Sequence, residues 1–498
     1  MEMVPQKISI KQFYKGKTIL ITGGTGFLGK ILIEKLLWSC NDLEKIILIL
    51  RSKKGKSVEE RIASLKREVV FKRIHDRNPS VLNKIIGIEA DLSAGSFNSE
   101  SDLMSNELKN VNIIFHCAAS VRFDDPLKKA IMINVCATKA LLDFAKTLKH
   151  FDVFIHVSTA YSNCDRLEID EKLYPLTVNW EHSIQMAQTM DEDTLDALFY
   201  KISNNMPNTY VFTKKIAENM INAYKNSLPI VIFRPSVVTS AEEEPLPGFI
   251  DNFNGPVGLL IASMTGINRV MYQNKVDSHV NTIPVDICIK GMIIAAVYRA
   301  LQCQNGNLPI FNGASIKNIQ IDEFIERGIG LIENIPPNFM FWRTGGRVTT
   351  YKLEFYLRLI FTQILPALIA DTFLAISNKK PKFMKLQRTL RNAQKSVQYF
   401  IDHNFNIFNA NFLKLNEILI ESEVKEFEIK EKLPNLDDYI KVCTIGARRY
   451  LMNWPDEDLE QAKVNYWRMK WIDRICKFLI SICFGRILYT RLYFLIEF

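Results

Sequence analysis

Short, uninterrupted apolar runs recur along the first 330 residues, each stopped by glycine or small polar residues and followed by a stretch in which apolar positions return every three or four. Continuous runs read as strands buried on both faces, and the 3.6-residue spacing between them as covering helices. Ile19, Leu20 and Ile21 make the first strand, residues 30–38 the first helix and 45–50 the second strand. Further strands are expected at 85–90, 113–117, 151–157, 228–233 and 309–312. Helices are expected around Asn134 and Thr138, from Tyr210 onward, and after Asp286 through residue 300. Alternation at roughly thirty-residue intervals requires right-handed crossovers, and so an α/β fold with a Rossmann-type, doubly wound parallel sheet. The pattern breaks at 165–205, which is mixed and polar, and at 241–281, where Gly, Pro and Asn lie among apolar groups and a substrate subdomain with a lid is expected. The alternation ends near residue 330. A mainly helical C-terminal domain at 331–455 and an apolar tail at 456–498 are expected to follow the α/β domain of 1–330.

Composition adds limits. The chain has 498 residues, 48% of them hydrophobic, and a net charge of +9, which describes a globular protein of two or three domains able to meet anionic cofactors, acyl-CoA phosphates or a membrane surface. No zinc-finger spacing or aromatic RNA-binding signature points to nucleic acid. The nine cysteines form no C-x-x-C pair, as expected of reduced thiols in a cytosol-facing protein. No histidine cluster suggests a metal, and His116 and His156, inside apolar strands, read as core. The N-terminus lacks the apolar stretch of a secretory signal.

The chemistry starts where the first strand meets its helix, at Thr22-Gly23-Gly24-Thr25-Gly26-Phe27-Leu28-Gly29. Gly23 permits the tight turn, Gly26 lets backbone N–H groups approach a pyrophosphate, and Gly29 lets the helix pack closely. The second strand ends in Arg51-Ser52-Lys53-Lys54-Gly55-Lys56. An acid at this place would suit a ribose 2′-OH, whereas cations suit a 2′-phosphate, so the expected cofactor is NADPH, with Arg51 and Lys53 as candidate contacts. Asp91 and Leu92, closing the third strand, are candidates to meet the adenine, and the small residues of Cys117-Ala118-Ala119 would let the cofactor backbone lie close. Ser158-Thr159-Ala160-Tyr161 brings hydroxyls to the carboxyl edge of the sheet, and Tyr210 and Lys214 stand one helical turn apart. Arg234-Pro235-Ser236 ends the next strand.

Together these residues resemble an extended short-chain dehydrogenase/reductase and, more closely, the eukaryotic, insect-like fatty acyl-CoA reductases. The resemblance runs from Thr22 through His116-Cys117-Ala118-Ala119 and Tyr210–Lys214 to the C-terminal Ile364-Leu365-Pro366-Ala367 and residues 439–454. Phe249 departs from it, since relatives usually carry Trp there. The resemblance implies NADPH-dependent reduction of long-chain fatty acyl-CoA to a primary fatty alcohol through an enzyme-held aldehyde, by two hydride transfers with release of CoA. Thr159, Tyr210, Lys214 and Asn134 would form the catalytic set. Cofactor contacts would come from Thr22, Gly23, Thr25, Gly26, Phe27, Leu28, Gly29, Arg51, Lys53, Asp91, Leu92, Cys117, Ala118, Ala119, Tyr210, Lys214 and Pro235. Tyr210 would supply the proton, with Lys214 lowering its pKa, Thr159 would share the oxyanion, and Asn134 would hold a water or the backbone near Lys214. The competing reading is a reductase or epimerase of another lipid or sterol-like substrate on the same scaffold.

Membrane contact is expected from two stretches. In residues 478–496 the apolar residues contribute roughly −3 to −7 kcal/mol against roughly +5 to +7 for Arg486 and Arg491. These nearly cancel, which favours an interfacial helix, or a short span with snorkelling arginines, over a clean transmembrane anchor. Residues 355–376 are more apolar but contain Pro366, Arg358 and Asp371, and are followed by Lys379, Lys380, Lys382 and Lys385, as suits a cytosolic side facing anionic lipid. The resemblance implies the endoplasmic reticulum or peroxisome membrane.

Overall fold

The computed structural model describes residues 6–51, 55–94, 107–303, 306–315, 318–430 and 435–496. Seven strands form one parallel sheet: β1 Thr18–Thr22, β2 Lys45–Leu50, β3 Ile85–Glu89, β4 Val111–His116, β5 Val153–Val157, β6 Ile230–Pro235 and β7 Ile310–Gly313. Their spatial order is β7-β6-β5-β4-β1-β2-β3, so the winding reverses between β1 and β4. β1 is hydrogen-bonded in parallel to both β2 and β4. Every residue of β1, β5 and β6 is buried, which explains why these strands read as continuous rather than alternating apolar runs. The covering helices include α1 Phe27–Ser39, α2 Val58–Lys66, α3 Ala137–Ala145, α4 Thr209–Tyr224 and α5 Val285–Gln302. The expected Rossmann-type fold is present, each strand lying within about three residues of its expected place.

The chain divides into two compact units. The first comprises Met1–Phe249, His279–Ile319 and His403–Pro434 and contains the whole sheet. Its last segment is integral to it. Ile407 pairs with Ile169, and the Glu171 carboxylate accepts the amides of Asn312 (2.9 Å), Asn411 (2.5 Å) and Phe412 (2.9 Å). Burial nevertheless pushes the Glu171 carboxyl up to about 7. Glu423 takes the Ser9 hydroxyl at 2.6 Å and the Ile10 amide at 2.7 Å, fixing the N-terminal segment to the same part of the chain. Phe412 packs edge-on against Phe233 and fills the space beside Gly291, where a Cβ would lie 2.2 Å from its ring.

The second unit comprises Ile250–Ser278, Gln320–Asp402 and Asn435–Phe498. It is mainly helical, with Gly255–Met264, Ile321–Gly330, Lys352–Leu359 continuing through a π-turn into Leu365–Ile376, Phe383–Asp402, Leu436–Gly446 and Leu459–Ile496. The stretch expected to be an irregular lid is more regular than its composition suggests. It carries the helix Gly255–Met264 and the strand Val270–Tyr272, which pairs with Arg347–Thr349. One helix among the described residues, Lys352–Ile376, is long and apolar enough to cross a membrane.

Candidate active site

The glycine turn lies at the point of strand-order reversal, where an open parallel sheet leaves a crevice for a ligand. Gly23 has φ +72°, and a Cβ there would sit 2.7 Å from the Ala118 amide nitrogen, so the turn after β1 is pressed against the turn after β4. At Gly29 a Cβ would come 2.3 Å from the Gly23 carbonyl oxygen, and α1 could not begin where it does. Gly26 is the N-cap of α1 and offers no side chain to the helix amides, an arrangement suited to receiving an anion. Phe27, on the first turn, stacks on Phe249 with ring centroids 6.3 Å apart. These features fit the pyrophosphate of a dinucleotide.

A buried hydrogen-bond chain sets this geometry. The Thr138 hydroxyl donates to the Asn134 carbonyl at 2.8 Å and therefore accepts from His116 Nε2, also at 2.8 Å. That assigns the proton to Nε2, so His116 Nδ1 accepts from the Thr22 hydroxyl at 2.8 Å, and the Thr22 oxygen in turn accepts the Ala118 amide at 3.2 Å. Burial lowers His116 to about 3, keeping it neutral. Asn134, within a π-turn at Met132–Cys136, accepts the Ser120 amide at 2.9 Å and donates to the Thr213 hydroxyl at 2.9 Å. It thus fixes the β4 turn against α4, and its side chain bonds to Ser120 and Thr213 rather than to Lys214.

At the end of β2, Arg51 reaches Asp91 at 3.5 Å, and both side chains remain largely exposed. Asp91 also accepts the Ser93 amide and hydroxyl, at 2.9 and 2.6 Å. Leu92 is buried beside it. Arg61, from α2, donates to the Arg51 carbonyl at 2.5 Å and to the Thr25 hydroxyl at 3.3 Å, linking the β2 end to the glycine turn. Arg61, ten residues beyond Arg51, is not marked by the strand-end pattern; the Ser57–Glu60 capping box that opens its helix is the available signal. Lys53 lies outside the described residues.

The candidate catalytic groups gather where β5 ends. Lys214 is buried and donates to the Val157 carbonyl at 2.7 Å. Burial brings its ammonium down to about 8, with Cys117 and Glu218 acting in the opposite direction. Thr159, two residues past Val157, accepts the Tyr161 amide at 3.3 Å and donates to the Pro235 carbonyl at 3.5 Å. Tyr210 stacks on Phe123 at 5.9 Å. Burial of its hydroxyl pushes the phenol up to about 12, and a hydrogen bond with Thr159 pulls it partway back. This corrects the expectation that Lys214 depresses Tyr210: in this arrangement the ammonium is turned to the Val157 carbonyl, and the phenol is held protonated. Behind them, Glu218 on α4 makes a two-pronged ion pair with Arg234 (2.9 and 2.7 Å) and accepts the hydroxyls of Ser158 (2.5 Å) and Ser162 (3.0 Å).

Residues 21–292 match the NAD-binding family profile described as male sterility protein, and 362–454 match a second profile of the same description. The chain is 32% identical to fatty acyl-CoA reductase 1 of Xenopus laevis over 92% of its own length and 88% of the relative's. The chain belongs to the fatty acyl-CoA reductase family. Fatty acyl-CoA reductase wat of Drosophila melanogaster is 32% identical over 94% of this chain and 90% of its own, and human fatty acyl-CoA reductase 1 is 33% identical over 92% and 88%. Among solved structures, the terminal R domain from the myxalamid PKS-NRPS biosynthetic pathway shares the fold, with TM-score 0.58 at 17% identity, covering 90% of this chain and 93% of that domain. This family membership makes the chain an oxidoreductase with a nicotinamide cofactor, which fits the glycine cradle of the first unit.

Proposed function

We propose that the protein reduces long-chain fatty acyl-CoA to the primary fatty alcohol with NADPH, through an enzyme-held aldehyde. The observation that carries this reading is the grouping of Thr159, Tyr210 and buried Lys214 beside the cofactor cradle, in a chain of this family. When bound, the cofactor supplies hydride to the carbonyl carbon. Negative charge then develops on the substrate oxygen, and Tyr210, protonated at neutral pH, donates its hydrogen to it while Thr159 shares the same oxygen. Lys214 holds the β5 end through Val157 and carries the positive charge of the site. Collapse of the hemithioacetal returns its hydroxyl proton to the Tyr210 oxygen and expels CoA as the thiolate, and in a second round, with a second NADPH as reductant, the same groups protonate the aldehyde oxygen. Asn134 acts by holding Ser120 and α4 in register. In this reading the sheet-bearing unit holds the reductase chemistry, and residues 456–498 of the helical unit form a tail that associates with a cytosol-facing membrane of the endoplasmic reticulum or peroxisome. Membranes expressing the protein, supplied with NADPH and a series of acyl-CoAs, should yield alcohol with two NADPH consumed per CoA released. Aldehyde accumulating at one NADPH per CoA would overturn the alcohol assignment.

Cofactor choice rests on Arg51 and Arg61. A 2′-phosphate near both guanidiniums would gain charge-assisted hydrogen bonds. Arg51→Asp combined with Arg61→Ala should reduce the preference for NADPH over NADH by about 10²-fold or more. Equal use of both cofactors by the unaltered protein would reject the assignment.

The Lys214 value gives a pH test. Its ammonium, lowered from the usual lysine range to about 8, loses its proton as pH rises through that value. Affinity of the free protein for NADPH should therefore fall between pH 7 and 9.5, measured by fluorescence titration. A flat profile would remove the Lys214 charge from cofactor binding.

A further inference from the structure

The segment Lys352–Ile376 carries apolar side chains on its open side as well as on its covered side. One side is covered by the second unit and includes Phe355, Leu359, Gln363, Ala367 and Asp371, successive positions four apart. Two of these five are polar, and both are used. Gln363 accepts the backbone amides of Arg269 (2.5 Å) and Val270 (3.2 Å), and Asp371 accepts those of Lys382, Phe383 and Met384 at 2.8–2.9 Å. The opposite side, open to the surroundings, carries Tyr356, Ile360, Phe361, Leu368, Phe373 and Ile376, and Phe361 and Phe373 are 62% and 67% exposed. The Thr362 and Thr372 hydroxyls bond back to Arg358 and Leu368 carbonyls one turn earlier, so they need no water. A helix bathed in water would carry polar side chains along its open side.

The segment is 25 residues long, about 37 Å, and by length alone could cross a bilayer. Its partner forbids this. After the turn at 377–382 the chain returns as Phe383–Asp402, which lies antiparallel: Gln363 meets Gln387 at 3.5 Å, and the Arg391 guanidinium lies 4.7 Å from the Phe355 ring centre. A span would carry this helix into hydrocarbon with Lys385, Arg388, Arg391 and Lys395 upon it. Exposed Lys379, Lys380, Lys382 and Lys385 cluster at the turn, at one end of the apolar stripe.

We propose that Lys352–Ile376 is an in-plane docking face for an anionic membrane surface, its apolar side lying among the acyl chains near the headgroups and its turn lysines among the phosphates. This deepens the membrane association proposed above and commits that association to one face. The test uses the full chain with phosphatidylcholine vesicles, with and without phosphatidylserine. Phe361→Glu with Phe373→Glu should weaken vesicle binding at least fivefold, whereas Tyr200→Glu, at an exposed position of the first unit, should not. Lys379→Glu with Lys380→Glu should abolish the gain given by phosphatidylserine. A cysteine replacing Lys379 should react with an impermeant maleimide on sealed microsomes, above the background of the unaltered protein. Binding unchanged by the two glutamates would overturn the proposal, and if those variants instead turn a dimer into a monomer, the face belongs to a second copy. Reaction at position 379 only after detergent would show a span and also overturn it. Unaltered thermal melting, or the milder Phe361→Ser, guards against misfolding, and acyl-CoA reduction in detergent tests the proposed reaction separately.

Discussion

Tyr210→Phe should lower reduction of both acyl-CoA and added fatty aldehyde by about 10²–10⁴-fold while leaving NADPH affinity within about twofold. The ring would remain stacked on Phe123, so what is lost is the hydroxyl that meets Thr159. Loss of both reactions follows from one site protonating two successive oxygens. Lys214→Ala should behave differently, because Lys214 is tied to the Val157 carbonyl and carries the charge of the site; it should lose turnover and weaken NADPH binding together. Thr159→Ala should keep a residual rate, since one contact to the developing oxyanion remains. The discriminating measurement is a pair of titrations, cofactor fluorescence and single-turnover product formation, on the three variants. Near-normal aldehyde reduction by Tyr210→Phe, with acyl-CoA reduction lost, would mean that two different groups donate the protons.

Much of this arrangement was legible because it is local. The continuous apolar runs gave every strand of the sheet, since a strand buried on both faces leaves no polar alternation. Gly23 and Gly29 stood out because a tight turn and a close helix start tolerate no Cβ, and the distances to Ala118 and the Gly23 carbonyl show how little room there is. Tyr210 and Lys214 were visible as a helical pair. What escaped was long-range. Glu218 looks like one more polar residue of α4 until β6 brings Arg234 to it. Glu171 and Glu423 bind segments far apart in sequence, and nothing in the apolar pattern marks residues 403–434 as part of the sheet-bearing unit. The direction of the Tyr210 shift escaped for a related reason: spacing put an ammonium one turn away, but spacing does not say that the Val157 carbonyl takes it.

Glu218→Ala should cost about 3–5 kcal/mol of stability, a large share of what a domain possesses. Glu218 and Arg234 are both at most 1% exposed, so removing the carboxylate leaves a guanidinium buried without its counter-charge and deprives Ser158 and Ser162 of their acceptor. The cost is one of imbalance rather than of a strong bond. Replacing both partners, as Glu218→Leu with Arg234→Met, should therefore recover most of the loss in denaturant unfolding. The pair also predicts a pH dependence. Its partners hold the Glu218 carboxyl below the ordinary range, the Arg234 charge being the largest favourable influence against the burial that opposes it. The unfolded state then binds the proton more readily. The contribution is fully present above the unfolded pKa of about 4.3 and is lost as pH falls through the lower folded value. Because Glu218 sits one turn beyond Lys214 and grips Ser158, next to Thr159, the alanine variant should lose turnover even at temperatures where it stays folded. The double apolar variant should recover stability without recovering turnover, since Ser158 would still lack its acceptor. Full recovery of both would reduce the ion pair to packing and separate it from the placement of the proposed catalytic hydroxyls.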